Sequence, residues 1–264
     1  MKRNSLLVII LAFGFLAGGV QAQTKAGAVV LSIGKNFAQQ PEQQPRKLKR
    51  KSEIYDADRI TTGMKGQVQL RFTDGSRLSI RPETEFIIEA YEFPGGQPEK
   101  GKAVYKLIKG GLRTITGAIS KADTKNYAVK TPIATIGVRG THYSLFFCDR
   151  ACKESTQTQS GLYGYVLEGE IVVSVDSEVS PVSAKHYFHL NMDGALTITQ
   201  SPFGVFEGLK DLEGGQVLPT EIGQDIPALD VNTGPEVNNI TLPASPNTPA
   251  PPRVPSPPKG GTYP

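Results

Sequence analysis

Between Gln67 and Arg81 the side chains alternate with a period of two, and the parity of that alternation leaves few ways to fold the segment. Val68, Leu70 and Phe72 lie between Gln67, Gln69, Arg71 and Thr73; Leu78 and Ile80 then resume the pattern among Ser76, Arg77, Ser79 and Arg81. Successive side chains of a strand point to opposite faces, so each run presents one apolar face. Asp74 and Gly75 mark the turn between them. A two-residue Asp-Gly loop would set Phe72 opposite Arg77 and mix core with solvent on one face. A three-residue loop of Thr73, Asp74 and Gly75 instead pairs Leu70 with Leu78 and Val68 with Ile80. It places Gly75 at the left-handed position such loops need. That hairpin is the expectation.

The same period marks further strands at residues 28–33, 85–91, 103–108, 126–130, 164–167, 170–175, 184–190 and 195–198, most of them short and separated by Gly or Pro. Residues 163–175 read as a second hairpin with Glu168 and Gly169 at its corner. Helical period is weak, amounting to a turn or two near residues 112–118 and 206–212. The fold class is therefore mostly β and antiparallel-rich, as a sandwich, a barrel or a stack of coiled strands.

The stretch from Tyr127 to Phe147 reads as a strand, a tight corner and a second strand ending in Tyr143, Leu145 and Phe147. Thr131 and Pro132 fix an extended entry, since proline locks its own φ and disfavours helix in the residue before it. Gly137 and Gly140 permit backbone conformations closed to other residues.

Compartment and charge follow from the N-terminus. Lys2 and Arg3 precede an apolar run from Leu6 to Leu16, and small residues and then Val20, Gln21, Ala22 follow, which is the form of a secretory signal peptide cleaved between Ala22 and Gln23. The run is about half the roughly 20 residues that a spanning helix needs. No cysteine follows the cleavage site, so no lipid anchor is expected. A periplasmic or secreted protein without a transmembrane segment is the expectation.

Loss of Lys2 and Arg3 takes the formal charge from +4 to 4 − 2 = +2, too small for a global field that would attract nucleic acid. The one dense basic run is Arg46, Lys47, Leu48, Lys49, Arg50, Lys51. It suits a solvated loop, with contact to anionic lipid, acidic glycan or nucleic acid as the sharper alternative. From Gly214 onward the chain holds twelve of its twenty prolines and one aromatic, Tyr263. Such a segment cannot bury enough surface to offset chain entropy, so residues 204–264 are expected to be a disordered Pro-rich tail. The organisation is then a signal peptide at 1–22, a β domain at 23–203 and the tail.

Several of these residues, in their order, resemble a FecR-domain protein. They are Asp58 with Thr61, Thr62 and Gly63; Gly66 through Ser76 with Leu78 and Ile80; Pro82 and Glu83; Lys109, Gly110, Gly111 and Leu112; and Tyr127 through Thr141. The resemblance covers roughly residues 26–147. It implies a β-rich periplasmic signalling or binding domain with no catalytic residues and no cofactor. The best-known members carry a cytoplasmic anti-sigma segment and a membrane helix where this chain has a leader, so an exported recognition domain is what the resemblance leaves. Arg139, Gly140, Thr141 and His142 form its candidate partner-binding corner, and an envelope protein or glycan is the expected partner.

The two cysteines, Cys148 and Cys152, sit four residues apart in a chain destined for an oxidising compartment and read as a disulfide worth about 2 kcal/mol. A zinc site with His142, or with His186 and His189, is the weaker alternative. No nucleophile elbow, phosphate loop or His-Glu-x-x-His helix occurs. Glu83 and Glu85 could pair for glycosidase chemistry, but strand-entry carboxylates explain them more simply. Tyr163 and Tyr165 could form a sugar-stacking platform, with packing the plainer reading. The expected function is a non-enzymatic exported binding or signalling module. The alternatives are an extracellular structural or surface-display protein and, more remotely, a carbohydrate-active enzyme.

Overall fold

The alternation at residues 67–81 folds as its parity requires. In the computed structural model, which describes residues 23–152 and 158–203, Val68 pairs with Ile80 and Leu70 with Leu78. Phe72 N–H donates to Ser76 O at 2.9 Å, and Gly75 takes φ +85°, so Thr73, Asp74 and Gly75 are the loop. The expected signal peptide at 1–22, its cleavage site and the Pro-rich tail at 204–264 lie outside the described residues, as does the helical turn expected at 206–212.

Fifteen strands are present among the described residues: β1 (Lys25–Ile33), β2 (Asn36–Gln39), β3 (Arg46–Lys47), β4 (Glu53–Tyr55), β5 (Arg59–Thr62), β6 (Gln67–Phe72), β7 (Arg77–Ile80), β8 (Glu85–Glu92), β9 (Lys102–Ile115), β10 (Tyr127–Lys130), β11 (Thr135–Cys148), β12 (Gly161–Val175), β13 (Glu178–Ser183), β14 (Tyr187–Asn191) and β15 (Leu196–Thr199). One helical turn, α1 (Ala118–Ala122), follows β9. The protein is mostly β, in a single hydrogen-bonded network. It is mixed rather than purely antiparallel, because β10 runs parallel to β9.

Three long strands give this sheet its two layers, and each bends at a glycine of positive φ: Gly110 in β9, Gly140 in β11 and Gly169 in β12. The first half of β9 pairs with β8 and β10, and its second half with β7 and β11. The same division holds in β11 and β12. One layer thus runs β15-β14-β12-β11-β9-β7-β6-β1-β4, the other β13-β12-β11-β10-β9-β8-β5-β2-β3. The layers face each other across an aromatic core. Phe72 of the first lies 5.3 Å from Tyr91 and 5.2 Å from Tyr105 of the second.

Four expectations are corrected here. Glu168 and Gly169 are not a hairpin corner. Both halves of β12 continue the ladder with β11, so the glycine bends one strand instead of reversing it. Residues 112–115 are strand, and the helical turn starts at Ala118, because Leu112 and Thr114 take inward positions in β9. Gly137 does not use positive φ; of the two glycines in that stretch only Gly140 does. The basic run is not simply a loop either: Arg46 and Lys47 form β3 against β2, and Leu48 is buried. Arg46 straddles the fully buried Asp58, donating at 2.8 Å from Nη1 to Oδ1 and from Nη2 to Oδ2. Gln40 Nε2 and the Tyr55 N–H complete that carboxylate's shell.

Candidate functional site

Around Gly140 the chain builds a corner that is rigid underneath and open on top. Gly140 (φ +60°) and Gly169 (φ +78°) lie against each other where β11 and β12 bend. A Cβ on Gly169 would sit 2.7 Å from Gly140 O. Thr141 is buried and its backbone is clamped by Thr116. The Thr141 N–H donates to Thr116 Oγ1 at 2.9 Å, and the Thr116 N–H donates to Thr141 O at 3.0 Å. His142 is also buried and accepts at Nε2 from Arg113 Nε at 2.7 Å. Burial and the Arg113 cation hold its imidazole down at about 4, against the opposing pull of Glu168. The ring is therefore neutral at physiological pH. Of the four expected corner residues, the structure leaves Arg139 and Gly140 exposed and turns Thr141 and His142 inward as supports.

An open groove of about 490 Å³ runs from this corner to α1 and the 3₁₀ turn Thr124–Asn126, with Lys121 and Arg139 among its lining residues. A second groove of about 420 Å³ shares Lys121 and continues past Ile115 to Asp74, Gly75 and Arg77 of the hairpin. The acids along both are committed to the fold. Asp123 caps the 3₁₀ turn by accepting from Lys125 N–H at 2.9 Å, and Asp74 accepts from Ser76 N–H at 3.0 Å and Ser76 Oγ at 2.7 Å. Arg77, Lys121 and Arg139 are exposed and pair with no acid among the described residues. The grooves thus present three cations whose nearby anions are already occupied, which suits an acidic ligand segment. Nothing in its sequence context singles out Lys121, one lysine among many. It lies three residues beyond the expected helical stretch, in the α1 turn that brings it to the Gly140 groove.

The other candidate residues fall elsewhere. Cys148 and Cys152 are joined in a disulfide, so neither sulfur is free as a thiolate ligand. No cluster of three or more potential metal ligands occurs among the described residues. Glu83 sits in a turn at φ +54°, whereas Glu85 is in β8 and ion-paired with Arg59. Tyr163 stacks on His189 at 4.1 Å and Tyr165 on Tyr187 at 4.2 Å. All four rings are buried, so none offers a free face to a sugar. Burial lowers the His189 pKa.

Residues 58–172 match the FecR protein family model. This chain carries a FecR domain. The match begins at Asp58, the first of the residues that carry the resemblance in the sequence, extends past the last of them into β12, and contains the Gly140 corner, α1 and both grooves. No curated protein matches the chain. Two crystal structures of a proposed anti-sigma factor from Parabacteroides distasonis align with it. One, at 2.50 Å resolution, has 14% identity and a TM-score of 0.41. The other, at 1.65 Å, has 13% identity and a TM-score of 0.40. Each alignment covers 53% of this chain and 58% of the other.

Proposed function

We propose that this FecR-domain chain is an exported, non-enzymatic signalling module of the bacterial envelope that receives an acidic segment of a protein partner in the groove beside Gly140. The observation that carries the reading is the row of exposed cations Arg77, Lys121 and Arg139 on a rigid corner whose acids are engaged internally. A receptor surface needs such fixed, unspent charge, because charge complementarity steers the encounter and selects the partner. The corner is prepared for binding rather than proton transfer. Its histidine is buried and neutral, and its threonine is clamped through the backbone. The glycosidase alternative loses support because Glu85 is committed to Arg59. The leader motif at residues 1–22 supports export.

The test is capture from an envelope extract with the wild-type chain and with a Lys121→Glu, Arg139→Glu double variant, both checked for folding by circular dichroism. A defined protein recovered by the wild type and lost by the variant is expected. Equal recovery by both would remove the groove from the interaction, and recovery that survives protease treatment of the extract would point to a glycan instead.

A further inference from the structure

At the end of β6 opposite the Asp74 loop, two turns are tied together, with three exposed large apolar side chains in or beside them. Seven large apolar side chains are exposed among the described residues, and three of them gather at these turns: Ile33 ends β1, Phe37 lies in β2 just past the β1–β2 turn, and Met64 is in the β5–β6 turn. Single exposed apolar residues are ordinary on any protein. Three at adjoining turns, with Met64 at 76% exposure and Ile33 at 49%, are a feature to explain.

The two turns are held rigidly. Gly63 N–H donates to Lys35 O at 2.8 Å, and Gly34, at φ +77°, approaches so closely that a Cβ there would meet Lys65 O at 2.4 Å. Asn36, fully buried, bridges them by donating from Nδ2 to Ile33 O at 2.7 Å and to Gln67 O at 3.1 Å. The tip is therefore built, and its apolar side chains are held outward.

The charge around the tip is predominantly positive. Lys35 and Lys65 sit within the two turns, exposed. Lys47 of β3 is the cross-strand partner of Phe37, and the N–H of Leu48, the next residue, donates to Asn36 O at 2.9 Å. This brings the basic run of residues 46–51 alongside. Arg46 is spent on Asp58, but Lys47, Lys49, Arg50 and Lys51 are exposed. Glu83, whose N–H donates to Gly63 O at 3.2 Å, is the acid that borders the Met64 turn.

We infer that this tip is a peripheral docking site for an anionic lipid surface, with Met64 and Ile33 entering the headgroup boundary and Lys35, Lys65 and Lys47 contacting lipid phosphates. Outward apolar side chains ringed by lysines are what interfacial binding needs, because apolar insertion and attraction to anionic headgroups add. An acidic protein patch would satisfy the lysines but gives no reason for a protruding methionine at 76% exposure. The site is separate from the Gly140 groove, so each can fail without the other.

The experiment is sedimentation of the full chain with vesicles of equal parts phosphatidylglycerol and phosphatidylcholine, and with phosphatidylcholine vesicles alone. Binding to the anionic vesicles, weakened by salt and by removal of the anionic lipid, is expected. Ile33→Ser with Met64→Ser, and separately Lys35→Glu with Lys65→Glu, should each lower partitioning about tenfold or more, since each lysine near the surface contributes roughly fivefold. Lys47→Glu, on a different strand, should lower it about fivefold or more and guards against misfolding of the turn variants. Arg150→Glu, an exposed cation beyond the end of β11, should leave it unchanged. Absence of wild-type binding, or indifference to both pairs and to Lys47→Glu, would overturn the inference, as would loss on charge reversal with no loss on the serine pair, which would indicate an acidic protein or simple charge attraction.

Discussion

Arg113 donates from Nε to Nε2 of His142 at 2.7 Å, so a permanent cation is hydrogen-bonded to a ring that must stay neutral to accept. Burial first, and this arginine second, hold the His142 pKa at about 4 in the folded chain, with Lys185 acting in the same direction and Glu168 against it. An unfolded histidine titrates near 6.5. The unfolded state therefore binds more protons between those values, and stability falls as pH drops from about 6.5 toward 4. Urea denaturation at pH 7 and pH 5 should show the wild type losing about 2 kcal/mol more than His142→Gln, which keeps the acceptor but cannot protonate. Equal losses in the two proteins would mean that the ring is not held neutral.

Two glycines that serve the same bending purpose should respond differently to alanine. Gly140 has φ +60° with no heavy atom within 4 Å of an added Cβ, so Gly140→Ala should cost only the left-handed penalty of about 1 kcal/mol. Gly110 has φ +81°, and its Cβ would lie 2.4 Å from Thr84 Oγ1 and 2.7 Å from Thr84 Cα. Backbone atoms cannot move aside as a flexible side chain does, and Thr84 is held on both sides, by Gly111 N–H donating to Oγ1 and by Thr62 Oγ1 accepting from its N–H. Gly110→Ala should therefore cost about 3 kcal/mol or more, read as a shift of the urea midpoint at unchanged slope.

These glycines also show what the sequence could and could not tell. The hairpin at residues 67–80 was legible because period-two parity and the αL demand of Gly75 point to the same register. Gly169 was misread as a reversal, since a glycine between two apolar runs looks the same whether the chain turns back or merely bends. Only the continuing partner, β11, separates the two cases, and that partner is distant in sequence. β2, β3, β4, β5 and β13 carry two to six residues each, and none of them shows the sustained apolar–polar alternation that marks β6 and β7. At the site, Arg139 and Gly140 were legible from the turn chemistry of their own strand. Lys121 was not, because its place beside them depends on where β9 ends.

Arg46 and Lys47 are neighbours in one basic run with opposite fates. Asp58 is fully buried and Arg46 is its cationic partner, so Arg46→Ala leaves a buried carboxylate uncompensated and should destabilise the protein by about 3–5 kcal/mol. Lys47 is exposed on an edge strand, and Lys47→Ala should stay within about 0.5 kcal/mol. Thermal melts of the two variants separate structural from surface basicity. Similar small effects from both would mean that the Asp58 shell tolerates loss of its arginine.

The disulfide between Cys148 and Cys152 closes a short loop at the end of β11, next to the stacked Tyr163, Tyr165 and Tyr187. Closing so few residues removes limited entropy from the unfolded chain, so Cys148→Ser with Cys152→Ser should cost about 2 kcal/mol and lower the melting temperature by a few degrees without unfolding the domain. Cys148 is fully buried in that cluster, so a hydroxyl there needs a new partner, and the cost should exceed that of reducing the wild-type protein. Intact mass without reductant should be two hydrogens below the value for free thiols. A mass matching two thiols, or variants as stable as the wild type, would remove the bridge from the account of this corner.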